Sequence, residues 1–87
     1  MFVLVWTEHA LDDLADAWVA ADPATRERIE AGINRLNAEL RDNPNEVGES
    51  RPDNRRIGFA GPLVVIFRID MNARVVRVNH AWVPARR

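Results

Sequence analysis

Apolar side chains fall in different rhythms along this chain, and each rhythm predicts an element. Phe2, Val3, Leu4, Val5 and Trp6 are apolar at consecutive positions, the pattern of a short strand covered on both faces or internal to a sheet. Thr7 is a good N-cap, and Glu8 and Asp12 add negative charge where a helix dipole favours it. Leu11, Leu14 and Trp18 then recur at helical spacing, with Ala10, Ala15 and Ala21 nearby and Asp12, Asp13 and Asp16 on the wet side. That predicts a helix ending near Ala21. Asp22-Pro23 opens a second helix, whose stripe is Ile29, Ile33, Leu36 and Leu40. Asn43-Pro44 closes it, because the residue before proline is pushed out of the helical region. Two helices joined by so short a turn form a helical hairpin.

Residues 44–54 carry turn formers without periodicity and read as a loop. Three strands follow, at residues 55–60, 63–70 and 74–83. Gly61-Pro62 separates the first two, and Met71-Asn72-Ala73 the last two, with Asn72 expected to take a left-handed backbone. Pro84 cannot continue a ladder, and Ala85, Arg86 and Arg87 read as a frayed tail. The predicted order is β-α-α-β-β-β. This is an α+β fold in which the helical hairpin packs on one face of a mostly antiparallel four-stranded sheet. A chain of 87 residues allows one domain, spanning 1–87.

Alternation assigns the faces of that sheet. In the strand at 63–70, Leu63, Val65, Phe67 and Ile69 belong under the helices, which leaves Arg68 outward. In the strand at 55–60, Ile57 and Phe59 are the apolar pair expected to face the helices, with Arg56, Gly58 and Ala60 outward. In the last strand, Val76 and Val78 face inward, with Val75, Arg77 and Asn79 outward. The open face is therefore expected to gather Arg56, Arg68, Arg77 and Asn79 around Gly58, with Arg51 and Arg55 at its rim. Guanidinium forks suit phosphate or carboxylate oxygens, and Gly58 would let a ligand approach the backbone. His80 has the helix-side parity of Val76 and Val78 unless a bulge re-aims it. Trp82, at the strand end, is a candidate stacking platform, whereas Trp6 and Trp18 occupy core positions.

Charge sharpens this picture. Residues 51–87 hold eight Arg and two acids, a net +6, and residues 1–50 hold four Arg and eleven acids, a net −7. The overall −1 hides a basic sheet on an acidic helical back, a field that draws anions to one side. Every basic residue is Arg, and Tyr is absent. Proton transfer is therefore left to His9, His80 or a carboxylate. The absence of Cys excludes disulfides and thiolate metal sites. His9, Asp12 and Asp13 share a helical face, but a hydrated acidic surface is the expected reading, and no metal or other cofactor is predicted. Ser50 lacks any nucleophile motif around it. No run approaches the ~20 apolar residues of a membrane span, and residues 1–6 lack a basic leader, so a cytoplasmic protein is expected.

Taken in order, these pieces resemble the RelE/ParE toxin superfamily of bacterial type II toxin–antitoxin systems. The resemblance rests on Val5-Trp6-Thr7, Ala10 and Leu14 at the first helix and on the hairpin closing at Asn43-Pro44. It continues through Gly48-Glu49-Ser50-Arg51, Arg55-Arg56, residues 62–69 and residues 74–78. It implies a small growth inhibitor held inactive by a cognate antitoxin that covers its active surface. RelE-like members cleave mRNA on the ribosome through basic residues of the open sheet face. ParE-like members poison DNA gyrase without chemistry of their own. By this resemblance, Arg56, Arg68, Arg77 and His80 are the expected catalytic set. Arg51, Arg55, Gly58, Asn79 and Trp82 are the expected substrate contacts. The chain departs from RelE-like members in carrying Gly58 and Val64 near two of their basic positions and in having no Tyr. Ribosome-associated cleavage is the leading expectation. Gyrase inhibition and a non-toxic partner-binding role are the alternatives.

Overall fold

The computed structural model describes residues 1–84; the tail expected at 85–87 lies outside the described residues. Strand β1 (Val3–Trp6) leads into helix α1 (Glu8–Ala20) through Thr7, whose Oγ1 accepts a hydrogen bond from the Ala10 N–H at 3.1 Å. Helix α2 (Pro23–Asp42) begins at once, with the Asp22 carboxylate accepting from the Thr25 N–H at 2.7 Å and Pro23 in the first turn. Asp22→Ala is expected to lower stability by about 1 kcal/mol, read as a shift in the thermal unfolding midpoint. Asn43 caps α2, and Pro44–Glu46 adds one 3₁₀ turn.

Among the described residues the sheet has five strands, one more than the periodicity predicts. Strand β2 (Glu49–Arg51) lies within the expected loop and pairs antiparallel with β3 (Arg55–Ala60). Three residues are too few to show alternation. The link between the strands is tight because Asp53 and Asn54 both adopt positive φ, 65° and 59°. Strands β4 (Leu63–Asp70) and β5 (Val75–Trp82) complete the order β1-β5-β4-β3-β2. Between β4 and β5 it is Arg74, at φ 55°, that takes the left-handed backbone expected of Asn72. Strand β1 runs parallel to β5 at the sheet edge, so its two apolar faces do not make it internal. Val3 and Val5 are exposed, while Leu4 and Trp6 pack on the core. The Trp6 indole N–H donates to Asn37 Oδ1 on α2 at 3.0 Å.

The helices cover one face, as predicted. Leu63, Val65 and Phe67 of β4 and Val76 and Val78 of β5 are fully buried there against Ala10, Leu36 and Leu40. Helix α1 approaches through small residues, Ala10 and Ala17 with Leu14 between them. Leu11 and Trp18, expected in the core, are instead half exposed. Arg26 covers Trp18, with its guanidinium carbon 5.7 Å from the ring centroid. Helix α2 buries Ile29, Gly32, Leu36 and Leu40. Gly32 matters because a Cβ there would lie 2.3 Å from the carbonyl carbon of Ala60. The backbone of α2 thus rests directly on the end of β3.

Candidate anion-binding face

That close approach decides which side of β3 each residue occupies. Cross-strand register pairs Arg56 with Phe67, Gly58 with Val65 and Ala60 with Leu63. Paired residues share a face, so Arg56, Gly58 and Ala60 lie on the helix side. Ile57 and Phe59 lie on the open side, opposite Ile66 and Val64. This inverts the expected parity of β3. Ala60 lies under the α2 backbone at Gly32, and Gly58 faces the Phe67 ring, where an added Cβ would meet Phe67 Cε1 at 3.2 Å. Gly58 therefore makes room for the core rather than for a ligand. Arg56 is withdrawn from the open face as well. Its Nε donates to the Val47 carbonyl at 3.0 Å and its second nitrogen to the Gly48 carbonyl at 3.2 Å, so it fastens the loop before β2.

Arg55 takes its place. Register aligns Arg51 with Arg55, Arg55 with Arg68, and Arg68 with Arg77. Four guanidinium side chains thus form one transverse row on the open face, with neighbouring backbones about 4.5–5.5 Å apart. Like charges directly opposite one another destabilise a sheet, so folding alone gives no reason for the row. The row is not uniform. Arg51 pairs with Glu49 at 3.8 Å and donates to the Ser50 carbonyl. Arg55 donates from Nε to the Pro52 carbonyl at 3.1 Å. Among the described residues, Arg68 and Arg77 have neither an ion pair nor a side-chain hydrogen bond, and both are exposed. Their donors are available to an external anion.

Next to this row the β4–β5 ladder slips by one residue. Phe67 pairs with Val78 but Ile66 pairs with His80, so Asn79 is the extra residue of a β-bulge. Beyond it the parity of β5 reverses. Ala81 turns into the core, while His80 and Trp82 turn out. The bulge is the re-aiming on which the expected role of His80 depended. Trp82 lies opposite Val64, which lies opposite Phe59, giving an apolar row at the end of the open face. Phe59 is 56% and Trp82 42% exposed.

One groove of about 510 Å³ gathers Thr7, His9, Arg55, Ile66, Arg68, Asn79 and His80. A second concavity brings Arg68, Arg77 and Asn79 together with the β4–β5 turn. Of the predicted site residues, Arg55, Arg68, Arg77, Asn79 and His80 therefore lie around one connected surface. Arg51 lies at its margin and Trp82 on the same face, and Arg56 and Gly58 do not belong to it. Two members went unforeseen. His9 and Asp13 of α1 reach the edge of β5 beyond the end of β1. Asp13 Oδ2 accepts from the Ala81 N–H at 3.1 Å, and the His9 and His80 rings meet edge to face at 4.8 Å between centroids. The sequence joins His9 to Asp13 through helical spacing, but only the strand order brings the pair to His80 and Ala81.

Residues 4–81 match the family described as ParE toxin of type II toxin-antitoxin system, parDE. The chain belongs to the ParE toxin family. The same fold recurs in solved structures of the wider RelE/ParE group. In the RelBE2 toxin–antitoxin complex of Mycobacterium tuberculosis, the similar chain is 19% identical with a TM-score of 0.74, covering 98% of this chain and 93% of that one. In the chromosomal ParDE system of P. aeruginosa the values are 19% and 0.72, with 98% of each chain covered. The isolated E. coli RelE toxin is 16% identical with a TM-score of 0.70, covering all of this chain and 88% of its own. No match is found among curated proteins. As a ParE-family toxin the chain is α+β, a helical hairpin on one face of a mixed sheet. Among the described residues it has no helix long and apolar enough to cross a membrane.

Proposed function

We propose that this toxin acts on RNA at the ribosome, cleaving a phosphodiester held by the arginine row. The observation that carries this reading is the bulge at Asn79, which brings His80 into the groove of Arg55 and Arg68. In the reaction the 2′-hydroxyl loses its proton and its oxygen bonds to phosphorus. The bond from phosphorus to the 5′ oxygen breaks, and that oxygen takes up a proton. The products are a 2′,3′-cyclic phosphate and a 5′-hydroxyl. Arg68, with Arg55 and Arg77 beside it, stabilises the charge on the phosphorane oxygens. His80 moves a proton, the role for which this Tyr-free chain offers no phenol. The toxin–antitoxin complexes among its structural neighbours support a cognate antitoxin as partner. The exposed rings of Phe59 and Trp82, at the end of the same face as the arginines, are a surface such a partner would cover.

Induced alone, the chain is expected to arrest growth and truncate ribosome-associated transcripts. Arg68→Ala is expected to lower cleavage by about 100-fold, the usual loss on removing one charge-stabilising donor, and to restore growth. His80→Gln should also abolish cleavage. A second reading, inhibition of DNA gyrase, is favoured by the family match itself. Under that reading transcripts stay intact, a DNA-damage response appears, and His80→Gln still arrests growth. Soluble expression without any growth effect would remove both readings and leave a partner-binding module.

A further inference from the structure

We propose that His9, Asp13 and His80 form a binding site for one divalent transition-metal ion of the zinc class. Their ligand atoms all lie within 4.8 Å of one another. His9 Nε2 stands 3.5 Å and His80 Nδ1 4.0 Å from the same carboxylate oxygen, Asp13 Oδ2. Those separations are too long for good hydrogen bonds, which close to about 2.7–3.2 Å. They are close to the spacing that ligands take around zinc. Bonds of roughly 2.0–2.1 Å at tetrahedral angles put neighbouring donors about 3.3 Å apart. Small rotations of two exposed imidazoles close the remaining gap, because the His9 and His80 side chains are 65% and 55% exposed.

The donor set is specific. Two imidazoles and one carboxylate suit zinc and its neighbours in the transition series, whereas magnesium and calcium prefer all-oxygen sites. The scaffold holds the set in place from two directions. His9 and Asp13 are four residues apart on α1, so they share one helix face. The Ala81 N–H fixes the Asp13 carboxylate, the kind of outer hydrogen bond that orients a metal ligand. The bulge at Asn79 presents His80 to them. Three protein ligands leave a coordination position open, and both imidazoles line the groove that holds Arg55 and Arg68. Those two cations oppose a dication, so micromolar rather than tighter affinity is expected, strengthened by an anion bridging metal and guanidinium.

The site is tested with tag-free, chelator-treated full-length protein, titrated with zinc chloride by calorimetry and followed by thermal unfolding and imidazole ¹⁵N spectra. The expected result is one ion per chain and a melting temperature raised by at least about 4 °C at hundredfold excess. The His9 Nε2 and His80 Nδ1 resonances should shift together. His9→Gln, an exposed helix position that leaves the fold intact, should weaken binding at least tenfold, as should His80→Ala. Asp12→Asn, on the same helix but outside the triad, should bind as the parent does, and magnesium should not compete. Absence of heat and of thermal shift at millimolar zinc overturns the proposal. So does a His9→Gln, His80→Ala double variant that binds like the parent. Neither readout depends on the cellular target, so failure here and failure of the RNA-cleavage reading are separate results.

Discussion

Truncating Phe67 to alanine is expected to lower stability by about 3–5 kcal/mol, the usual loss for a large buried aromatic side chain. The ring is fully buried in β4 and fills the space that Gly58 leaves on β3. Alanine would leave a cavity lined by β-sheet and α2, elements that cannot both collapse inward. Native domains are held by only about 5–15 kcal/mol, so this one substitution removes much of the total. Urea unfolding followed by tryptophan fluorescence measures the loss. Phe59→Ala is the matched control, since that ring is 56% exposed on the opposite face and its removal should have a much smaller effect. A Phe67→Ala protein that unfolds at the parent's urea midpoint would show that the ring does not fill the core.

Gly32→Ala poses a contest between two effects of opposite sign. Alanine is the better helix former by about 1 kcal/mol, and on an exposed helix the change would stabilise. Here the new methyl would lie 2.3 Å from the Ala60 carbonyl carbon and 2.4 Å from the Gly61 nitrogen. Both neighbours are backbone, so no rotamer change relieves the overlap. Overpacking of this kind typically costs about 1–3 kcal/mol, and with two backbone contacts the upper end applies. The overlap should win, lowering the thermal midpoint by roughly 4–8 °C for each net kcal/mol lost. An unchanged or raised midpoint would mean that α2 does not sit on the end of β3.

The same contact explains what the amino-acid pattern could and could not reveal. Both helices and β4 are legible because their apolar stripes are long and their ends carry Thr7, Asp22-Pro23 and Asn43-Pro44. Strand β3 misleads because its two large apolar residues, Ile57 and Phe59, look like the buried ones. They lie on the open face, while Ala60 sits under the α2 backbone at Gly32 and Gly58 faces the Phe67 ring. A periodicity argument weighs hydrophobicity, whereas here available space decides. One consequence is that Arg55 rather than Arg56 joins Arg68 and Arg77. Strand β2 stays hidden because three residues show no period. His9 and Asp13 are legible as neighbours on one helix face, but His80 joins them only through tertiary placement.

The bulge at Asn79 has a further consequence for how such chains diverge. Removing Asn79 would straighten the ladder yet keep His80 and Trp82 outward, whereas taking Asn79 into regular pairing would turn His80 and Trp82 inward while Ala81 pointed out. A one-residue slip of register could thus exchange the entire chemical character of the strand's end without altering any amino acid. Chains with the same residues in this segment but an unbulged ladder would present different reactive groups. Whether the ladder bulges between Val78 and His80, rather than residue identity, is then the feature by which members sharing this surface can be sorted.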